Sequence, residues 1–248
     1  MVKDSCLIGL IAVSIQASAF AADVRLVTEG AYAPWNYIGD DGELAGFEIE
    51  LGNELCDRMA VSCEWVINDW DSIIPNLIAG NYDAIMAGMS ATDERKETIQ
   101  FSEEYFPSEP ARYIASENTT IDFDNLTGIR IGAQGATIHS AYLEQTLQEE
   151  NTILKYETPD QSVADLVAGN IDILFADGLY LEPIVSGSNG SLVFVGPKQK
   201  VGEGVAIGMR QEDTELHGQF QTALQSVKAD GTLDKLIMEY FKKGPYFQ

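Results

Sequence analysis

The sequence WDSIIPNLIAGNYDAIMAGMSATDER, residues 70–95, predicts a helix, a stop and a buried strand in succession. Asp71 is placed to cap the helix, and Pro75 is tolerated in its first turn. The apolar face has helical spacing, with Ile73, Ile74, Leu77 and Ile78. Gly80 ends the helix, and the apolar run from Tyr82 to Met86 is typical of a strand covered on both faces. Such strands occur in α/β proteins, in which helices pack on both sides of a sheet.

A second helix begins shortly after this strand. Thr92 is placed as its N-cap, two acids occupy its first turn, and Arg95 follows. A fixed guanidinium beside exposed N–H groups suits a carboxylate, because the two groups pair through two parallel hydrogen bonds. The alternative interpretation is a surface arginine that pairs with a neighbouring acid.

A second copy of the strand motif favours the carboxylate site. Residues 79–88 read AGNYDAIMAG, and residues 168–177 read AGNIDILFAD. The copies predict two α/β units of similar build, and ligands of open α/β sheets lie beyond the carboxyl ends of the strands. The first copy leads to Ser90 and Arg95, whereas the second ends at Asp177. One unit would supply a cation and the other an anion, so we expect a zwitterionic ligand between them.

The first 21 residues have the features of a secretory signal peptide. Lys3 precedes a short apolar core, Leu7 to Ile15, which is too short to span a bilayer. Residues 19–21, Ala-Phe-Ala, fit the small-x-small cleavage pattern, so we expect cleavage near Ala21 and an exported protein. An uncleaved membrane anchor is the alternative interpretation.

The composition limits the classes of partner. The formal net charge of −24 argues against nucleic acid, which requires a basic surface on the protein. An acidic, solvated surface that keeps the protein in solution explains this charge. With 45% hydrophobic residues the chain can bury a substantial core, and its length suits one large or two modest domains.

Two cysteines, Cys56 and Cys63, remain after removal of the signal peptide. In an oxidising compartment they would form a small disulfide loop, and a metal site is the alternative. The histidines, His139 and His217, lie far apart in the sequence, and no compact group of ligands accompanies them. We therefore expect no metal and no cofactor. A catalytic Cys-His pair would need a free thiol, which an oxidising compartment disfavours.

Aromatic and acidic side chains follow the first two predicted strands. Glu29 and Tyr32 lie in the loop after strand Val24–Thr28, and Trp70 follows strand Val61–Ile67. Two aromatic faces near one cleft can enclose an aliphatic or cationic side chain, and Glu29 can pair with a guanidinium or ammonium group. Ordinary core packing is the alternative for both aromatic residues.

Residues 46–60 predict an amphipathic helix, because apolar residues recur every four positions at Phe47, Leu51, Leu55 and Met59. We interpret the acidic residues of this helix as its solvated face, namely Glu48, Glu50, Glu54 and Asp57. Trp35, in the loop before it, is expected to be structural.

The rest of the chain predicts two crossings between the units. Residues 101–112 contain two prolines and suit a hinge, and Val205 to Met209 predicts the returning strand. Between them, Gln134 to Thr137 forms a glycine-containing turn into a helix, which is a site for an anion. His139 lies one turn into that helix. It is either a residue at the edge of the cleft or a residue without a role in the site. The predicted boundaries are 1–21 for the signal peptide, 22–110 with 202–248 for lobe 1, and 111–201 for lobe 2.

Several segments resemble one known family: TEGAYAPWN, GFEIELGNELC, WDSIIPNLIAGNYDAIMAGMSATDER and FSEEY are similar to those of the polar amino-acid binding proteins of bacterial ABC importers. Within this family the chain resembles the lysine/arginine/ornithine, histidine and opine binders over essentially its whole mature length. The motifs GFEIEL and MSATDER are the most specific. The resemblance implies a type II periplasmic binding protein of the α/β class, in which two hinge strands join two α/β lobes around a ligand cleft.

The resemblance also implies roles for individual residues. Glu29 matches the acid that meets the basic end of the ligand, and Tyr32 and Trp70 match the aromatic pair that flanks its side chain. The expected carboxylate clamp consists of Ser90, Arg95 and Thr137. Asp177 matches the acid that holds the α-ammonium group.

Two small residues depart from the pattern. Ala87 and Gly88 stand where the lysine/arginine/ornithine and histidine binders have two serines, so Gly88 offers only its backbone to the ammonium group. Small residues here also resemble the opine binders, whose ligands carry a substituted α-nitrogen, although Asp177 favours a free ammonium group. The Cys56–Cys63 pair matches the short disulfide of the histidine and lysine/arginine/ornithine binders.

The resemblance therefore predicts a monomeric periplasmic protein that captures a basic amino acid, delivers it to the membrane permease of an ABC transporter, and has no catalytic residue. An opine or another arginine derivative is the alternative ligand. The rival class is an enzyme similar to the periplasmic cyclohexadienyl and arogenate dehydratases, which also need an acid to protonate a leaving hydroxyl group. A receptor sensor domain is a third class, against which the lack of a later hydrophobic span argues.

Overall fold

The computed structural model describes residues 23–247, so the signal peptide predicted for residues 1–21 lies outside the described residues. This range contains thirteen β-strands and eight α-helices. The strands are β1 (Val24–Thr28), β2 (Ala31–Tyr32), β3 (Asn36–Ile38), β4 (Leu44–Ala45), β5 (Cys63–Ile67), β6 (Ala84–Ile85), β7 (Gln100–Phe106), β8 (Ala111–Ser116), β9 (Arg130–Gln134), β10 (Thr152–Tyr156), β11 (Ile173–Asp177), β12 (Leu192–Gln199) and β13 (Val205–Met209). The helices are α1 (Phe47–Met59), α2 (Ile73–Ile78), α3 (Asp93–Lys96), α4 (Ile138–Thr146), α5 (Pro159–Val167), α6 (Gly178–Gly187), α7 (Thr214–Ala229) and α8 (Thr232–Phe241).

Two mixed sheets of five strands each form the framework, in the orders β5-β1-β6-β13-β7 and β10-β9-β11-β8-β12. In the first sheet β1 runs parallel to β5 and β6, and β13 is antiparallel to β6 and β7. In the second sheet β9 runs parallel to β10 and β11, and β8 is antiparallel to β11 and β12. The sheets thus share one plan, and we call each sheet with its helices lobe 1 and lobe 2. The predicted α/β class is confirmed.

The chain crosses between the sheets twice. Residues 107–110 connect β7 of the first sheet to β8 of the second, and residues 200–204 connect β12 back to β13. Each crossing delivers a strand that pairs with the middle strand of the sheet it enters, β8 with β11 and β13 with β6. The domain boundaries near residues 111 and 201 stay a prediction.

Helices cover both faces of each sheet because successive strand residues point to opposite sides. In lobe 1, Leu26 belongs to the buried cluster formed with α1, α7 and α8, whereas the next residue, Val27, packs with Ile73 and Leu77 of α2. Lobe 2 has the same arrangement, with one buried cluster on each side of its sheet. In each lobe the sheet is therefore a central layer with a separate hydrophobic cluster on each of its two faces.

Helix α1 begins directly after Gly46, where the chain passes close to Trp35. A Cβ atom on Gly46 would lie 2.5 Å from the carbonyl oxygen of Trp35, and the φ of Gly46 is +122°, so glycine is required. Trp35 itself is buried against Phe47, in agreement with its expected structural role. The interpretation of Glu48 as solvated is wrong, because its side chain is 0% exposed.

The stretch at residues 70–95 largely follows its prediction. Asp71 is not the helix cap, because it lies inside a 3₁₀ turn, Trp70–Ser72, that precedes α2. Gly80 ends the helix with a φ of +79°, and the ladder of β6 is shorter than the predicted run of residues 82–86. The predicted N-cap is confirmed, since the Thr92 hydroxyl oxygen accepts the backbone N–H of Arg95 at 3.3 Å.

A disulfide joins Cys56 of α1 to Cys63 of β5, as expected. It ties the end of the first long helix to the edge strand of the first sheet. Within residues 23–247 we find no helix with the length and apolar character required to cross a bilayer.

Candidate functional site

A cavity lies between the two lobes, at the carboxyl ends of the parallel strands of both sheets. The structure brings all nine of the site residues expected from the sequence to its wall: Glu29, Tyr32, Trp70, Ala87, Gly88, Ser90, Arg95, Thr137 and Asp177. Residues of the two crossings, including Pro107 and Val201, complete the lining. The cavity is therefore enclosed by both lobes and by the segments that join them.

Arg95 supplies a positive charge from lobe 1. Its guanidinium donates to the carbonyl oxygen of Ser90 at 2.9 Å and lies 5.2 Å from the ring centroid of Trp70. Among residues 23–247, none of the ion pairs involves Arg95. Loss of solvent around the guanidinium lowers the pKa of Arg95 to about 10, so the group stays charged at neutral pH.

Asp177 supplies a negative charge from lobe 2. It is the last residue of β11 and the N-cap of α6, where its carboxylate accepts the backbone N–H of Leu179 at 3.1 Å. Burial raises the pKa of Asp177 to about 6, against the hydrogen bond from Leu179, which lowers it. No ion pair of the described chain includes this carboxylate either.

Opposite charges thus face one cavity from two separate sheets without neutralising each other through a direct ion pair. Charges removed from water are costly unless they find partners. A molecule that carries both an anion and a cation would give Arg95 and Asp177 partners at once. The arrangement is suited to bind a zwitterion.

Glu29 forms a further acidic part of the wall. Its carboxylate accepts a hydrogen bond of 2.6 Å from the side-chain amide of Gln134 in lobe 2. Burial is the main cause that raises the pKa of Glu29 to about 7, and the nearby carboxylates of Asp69, Asp160 and Asp71 add to the rise. This end of the cavity is electronegative, which favours a cationic group over an anionic one.

Two aromatic contacts join the lobes across the cavity. The rings of Tyr32 and Tyr180 stack at a centroid distance of 4.3 Å and an interplanar angle of 5°. The indole N–H of Trp70 donates to the carbonyl oxygen of Ala136 at 3.0 Å. Together with Glu29 and Gln134, they hold the lobes in direct contact.

Tyr180 was not identified as a site residue from the sequence, and Gln134 was identified only as the start of the turn into α4, although both side chains line the cavity. Tyr180 lies three residues after Asp177, in the first turn of the helix that leaves β11. Gln134 ends β9, the strand next to β11. Their position at carboxyl ends of neighbouring strands was a usable signal, because cleft residues of open α/β sheets lie there.

The hydroxyl groups of Ser90 and Thr137 are already engaged with backbone groups. Ser90 Oγ donates to the carbonyl oxygen of Glu203 at 2.6 Å and accepts its N–H at 2.9 Å. Thr137 Oγ1 donates to the carbonyl oxygen of Gln134 at 2.7 Å and caps α4 by accepting the Ser140 N–H at 3.1 Å. Neither hydroxyl proton is free for a carboxylate, so the guanidinium of Arg95 is the main donor to an anion here.

His139 also lines the cavity, from the first turn of α4. Its ring lies edge-on against Phe175 at a centroid distance of 5.6 Å. Burial, together with the nearby charge of Arg95, lowers the pKa of His139 to about 4. His139 is therefore neutral at physiological pH and adds no charge to the site. In the described part of the chain, no group of three or more metal-binding side chains is placed to hold an ion.

The fold and this cavity agree with the comparison with known proteins. Residues 24–243 match the family described as bacterial extracellular solute-binding proteins, family 3, and the chain belongs to this family.

Individual relatives are similar over nearly their whole length. An L-arginine-binding protein of Pseudomonas aeruginosa is 34% identical over 256 residues, which cover 98% of this chain and 98% of the relative. The lysine/arginine/ornithine-binding periplasmic protein of Escherichia coli is 34% identical over 249 residues, with 96% and 95% covered. A solved structure from Silicibacter pomeroyi, a periplasmic His/Glu/Gln/Arg/opine family-binding protein in complex with lysine, is 47% identical. It has a TM-score of 0.83 and covers 90% of this chain and 100% of its own.

Proposed function

We propose that the protein binds a basic amino acid between its lobes and delivers it to the membrane permease of an ABC transporter. The observation that carries this proposal is the pair of oppositely charged side chains, Arg95 and Asp177, which face one cavity from different lobes. Neither side chain forms an ion pair within residues 23–247. An α-amino acid carries the complementary carboxylate and ammonium groups on one carbon atom.

Arg95 binds the α-carboxylate in this proposal, through the two parallel hydrogen bonds that guanidinium groups form with carboxylates. Because the hydroxyl protons of Ser90 and Thr137 are engaged, these two residues contribute the shape of the cavity next to Arg95. Asp177 binds the α-ammonium group and caps α6 at the same time. Ala87 and Gly88 leave room beside that group.

The side chain of the ligand extends toward Glu29 in this proposal. Tyr32 and Trp70 present aromatic faces to its aliphatic part, and cations are attracted to such faces. A guanidinium or ammonium group at the end of the chain then meets the carboxylate of Glu29. Glutamate would place a second anion against an acidic wall, so we expect it to bind poorly. Arginine derivatives such as opines are the alternative ligand, since small residues at positions 87 and 88 leave space at the α-nitrogen.

Capture follows from closure of the lobes. Lobe 1, residues 22–110 and 202–248, and lobe 2, residues 111–201, would move relative to each other about the two crossings. A ligand favours the closed state only through contacts that the open state lacks, and here those contacts come from both lobes. The contacts of Tyr32 with Tyr180 and of Trp70 with Ala136 belong to the same closed arrangement.

We further infer that the mature protein is exported to the periplasm and acts as a monomer. The signal peptide predicted for residues 1–21 supports export. The periplasmic location of the lysine/arginine/ornithine-binding relative supports the same compartment. A disulfide between Cys56 and Cys63 suits an oxidising environment. Delivery to a permease is the step that the family relationship implies.

The same site is better suited to binding than to catalysis. A dehydratase would need a carboxylic acid free to protonate a leaving hydroxyl group. Asp177 and Glu29 are the buried acids whose pKa values are raised, and the ammonium and side-chain cations of a basic amino acid would hold both in their charged form. We therefore infer that the protein is a binding protein and not an enzyme.

A ligand screen on the mature protein tests the proposal. Melting temperatures would be measured with arginine, lysine, ornithine, histidine, octopine, nopaline, glutamine and glutamate, followed by calorimetry of each compound that raises the melting temperature. A ligand at 100 times its Kd adds about 2.7 kcal/mol to the free energy of unfolding. We expect the largest increase with a basic amino acid.

Two controls make the screen decisive. Agmatine lacks the α-carboxylate of arginine and should bind far more weakly, because Arg95 then has no partner. Prephenate and arogenate, incubated with the protein, should remain unchanged. A response to glutamate alone would overturn the proposed specificity, and turnover of prephenate or arogenate would overturn the binding function.

A further inference from the structure

Glu48 is a buried carboxylate that the proposed ligand contacts do not use. It lies in the first turn of α1, within the GFEIEL motif, and its side chain is 0% exposed. Its Oε1 accepts the backbone N–H of Gly88 at 2.6 Å and the hydroxyl of Tyr105, and its Oε2 accepts the side-chain amide of Asn36 at 2.7 Å. Three donors therefore converge on one carboxylate.

The network continues from Asn36 to the loop after β1. The side-chain oxygen of Asn36 accepts the backbone N–H of Gly30 at 2.8 Å. Gly30 follows Glu29, and Gly88 lies beyond the end of β6. Glu48 and Asn36 thus connect the two loops of lobe 1 that carry Glu29 and Gly88 into the cavity.

The bond to Glu48 determines which polar group of Gly88 remains for a ligand. A glycine has only an N–H and a carbonyl group to offer, and the N–H of Gly88 is directed to Glu48. The φ of Gly88 is +61°, a conformation that other residues adopt at a cost. The remaining group is the carbonyl oxygen, which accepts hydrogen bonds from an ammonium group and repels a carboxylate.

We propose that Glu48 is a positioning residue for the ammonium subsite: by holding the N–H of Gly88, it fixes the peptide plane that joins Ala87 to Gly88 and keeps this N–H directed away from the ligand nitrogen. Asn36 extends this control to the loop of Glu29. The inference rests on the proposed function, because it concerns how the same site holds an amino acid. In this view, the peptide between Ala87 and Gly88, held by Glu48, forms the cavity wall where the lysine/arginine/ornithine and histidine binders have two serines.

The pattern of donors and acceptors provides a sharp test. In Glu48→Gln the new amide oxygen can still accept Gly88 N–H and the Tyr105 hydroxyl, but its NH₂ group faces the NH₂ group of Asn36. If the side-chain amide of Asn36 is flipped, its NH₂ group instead faces the N–H of Gly30, and two donors again meet. In the double variant Asn36→Asp, Glu48→Gln, the new aspartate accepts both N–H groups. All bonds are then restored, and the net charge equals that of the wild type.

The experiment measures arginine affinity by calorimetry in the wild type, E48Q, N36D/E48Q and Tyr105→Phe, with the amide proton shift of Gly88 followed by NMR. Tyr105→Phe is the matched control, because it removes one donor from Glu48 and leaves the bonds to Gly88 and Asn36 intact. We expect E48Q to lose about tenfold or more in affinity, with a changed Gly88 amide shift, since a misdirected hydrogen bond to a charged group costs that much. The double variant should return to within about threefold of the wild type.

Each result bears on the proposal. If E48Q does not fold, the proposal is tested by the double variant and Tyr105→Phe. The double variant should then bind arginine like the wild type, and Tyr105→Phe should lose no more than about threefold in affinity. Normal affinity in E48Q, no recovery in the double variant, or an equal loss in Tyr105→Phe would each overturn the role of Glu48. Failure of the wild type to bind any amino acid would instead refute the proposed function, so the two failures are distinguishable.

Discussion

The two copies of the strand motif, residues 79–88 and 168–177, agree at their beginnings. In each copy the aspartate after Gly-Asn pairs with the arginine that begins or nearly begins the neighbouring strand. Asp83 accepts from the side chain and backbone N–H of Arg25, and Asp172 accepts from the same groups of Arg130. The shared part of the motif therefore fastens two parallel strands together at their amino ends.

The copies differ at their carboxyl ends, which face the cavity. The first ends at Gly88 and leads to Arg95, whereas the second ends at Asp177. The two copies are thus similar in their anchoring halves, whereas the charges that reach the cavity differ: Asp177 ends the second copy, and Arg95 lies in α3 after the first. The difference shows that the two halves of the motif serve separate purposes, and that an asymmetric ligand can be bound by two similar lobes.

Removal of either charge that faces the cavity should have the largest effect on ligand binding. We expect Arg95→Ala and Asp177→Asn each to weaken arginine binding by two orders of magnitude or more, because a buried charge left without its partner costs about 3–5 kcal/mol. Calorimetry gives the dissociation constants directly.

The Asp177→Asn variant removes the negative charge at this position but keeps the side-chain oxygen that caps α6. Asparagine is as good an N-cap as aspartate, so α6 keeps its cap and the melting temperature without ligand should change little. Arg95→Lys, which keeps the charge and loses the planar fork, should lie between the wild type and Arg95→Ala. Near-normal affinity in either charge-removing variant would refute the proposed roles.

The anchoring halves differ in one respect that can be measured. Asp83 also accepts a hydrogen bond of 2.9 Å from Arg210, so it pairs with two arginines, whereas Asp172 pairs with Arg130 alone. We expect Asp83→Ala to lower the free energy of unfolding by about 2 kcal/mol, because it removes the carboxylate that Arg25 and Arg210 share, while Arg210 keeps its ion pair with Asp213. Asp172→Ala should cost less. Urea unfolding of both variants tests the order, and equal losses would contradict it.

The buried carboxyl groups make ligand binding depend on pH. The pKa of Arg95 is about 10, but those of Asp177 and Glu29 are raised to about 6 and about 7 by burial. A cationic ligand binds the deprotonated carboxylates, so affinity for arginine should rise by about 20-fold from pH 6 to pH 8, with proton release on binding. Calorimetry in buffers of different ionisation enthalpy measures both effects.

The same carboxyl groups have the opposite effect on the empty protein. Their pKa values are higher in the folded than in the unfolded chain, so their contribution to stability is present below the unfolded values and is lost as pH rises through about 6 and about 7. The increase in melting temperature caused by arginine should therefore be larger at pH 8 than at pH 6. Asp177→Asn should reduce this difference, and a pH-independent increase would contradict it.

The smallest expected effect concerns the aromatic contact between the lobes. Tyr180→Leu removes the stack on Tyr32 and should weaken arginine binding by about tenfold or less, since such a pair contributes about 0.5–1.5 kcal/mol beyond area burial. Tyr180→Phe keeps the ring and should bind like the wild type. A loss in the phenylalanine variant equal to that in the leucine variant would assign the effect to the hydroxyl group.

Much of the fold and the residues around the cavity could be predicted from local patterns. The repeated motif predicted two similar α/β units, and helical spacing predicted α1 almost to its ends. Thr92 was recognisable as an N-cap because its role depends only on residues within one turn. Features of this kind are encoded over short stretches of sequence and are read from them directly.

The burial of Glu48 was not predicted from the local sequence pattern. Its acidic character suggested solvent, although its spacing of three and seven residues from Leu51 and Leu55 places it on the buried face of α1. The donors that make burial possible, Gly88 and Tyr105, are 40 and 57 residues away in the sequence. Polar burial of this type depends on distant partners, and local periodicity alone does not reveal them.

Asp71 and Tyr180 show two further limits. The prediction of Asp71 as the cap was wrong because the chain enters α2 through a 3₁₀ turn. The sequence signals for a helix start do not fix its first residue to within one or two positions. Tyr180 was not identified from the sequence, because its contact with Tyr32 joins residues from different lobes. Contacts between lobes follow from how the two sheets face each other, which no short stretch of sequence determines.

The two crossings have a consequence for the order in which the chain can fold. Strands β8 to β12, which make up the whole second sheet, are contiguous in the sequence between residues 111 and 199. The first sheet, by contrast, is complete only when β13, at residues 205–209, inserts between β6 and β7. A chain that emerges from its amino terminus can therefore finish lobe 2 while lobe 1, although begun first, still waits for one of its inner strands.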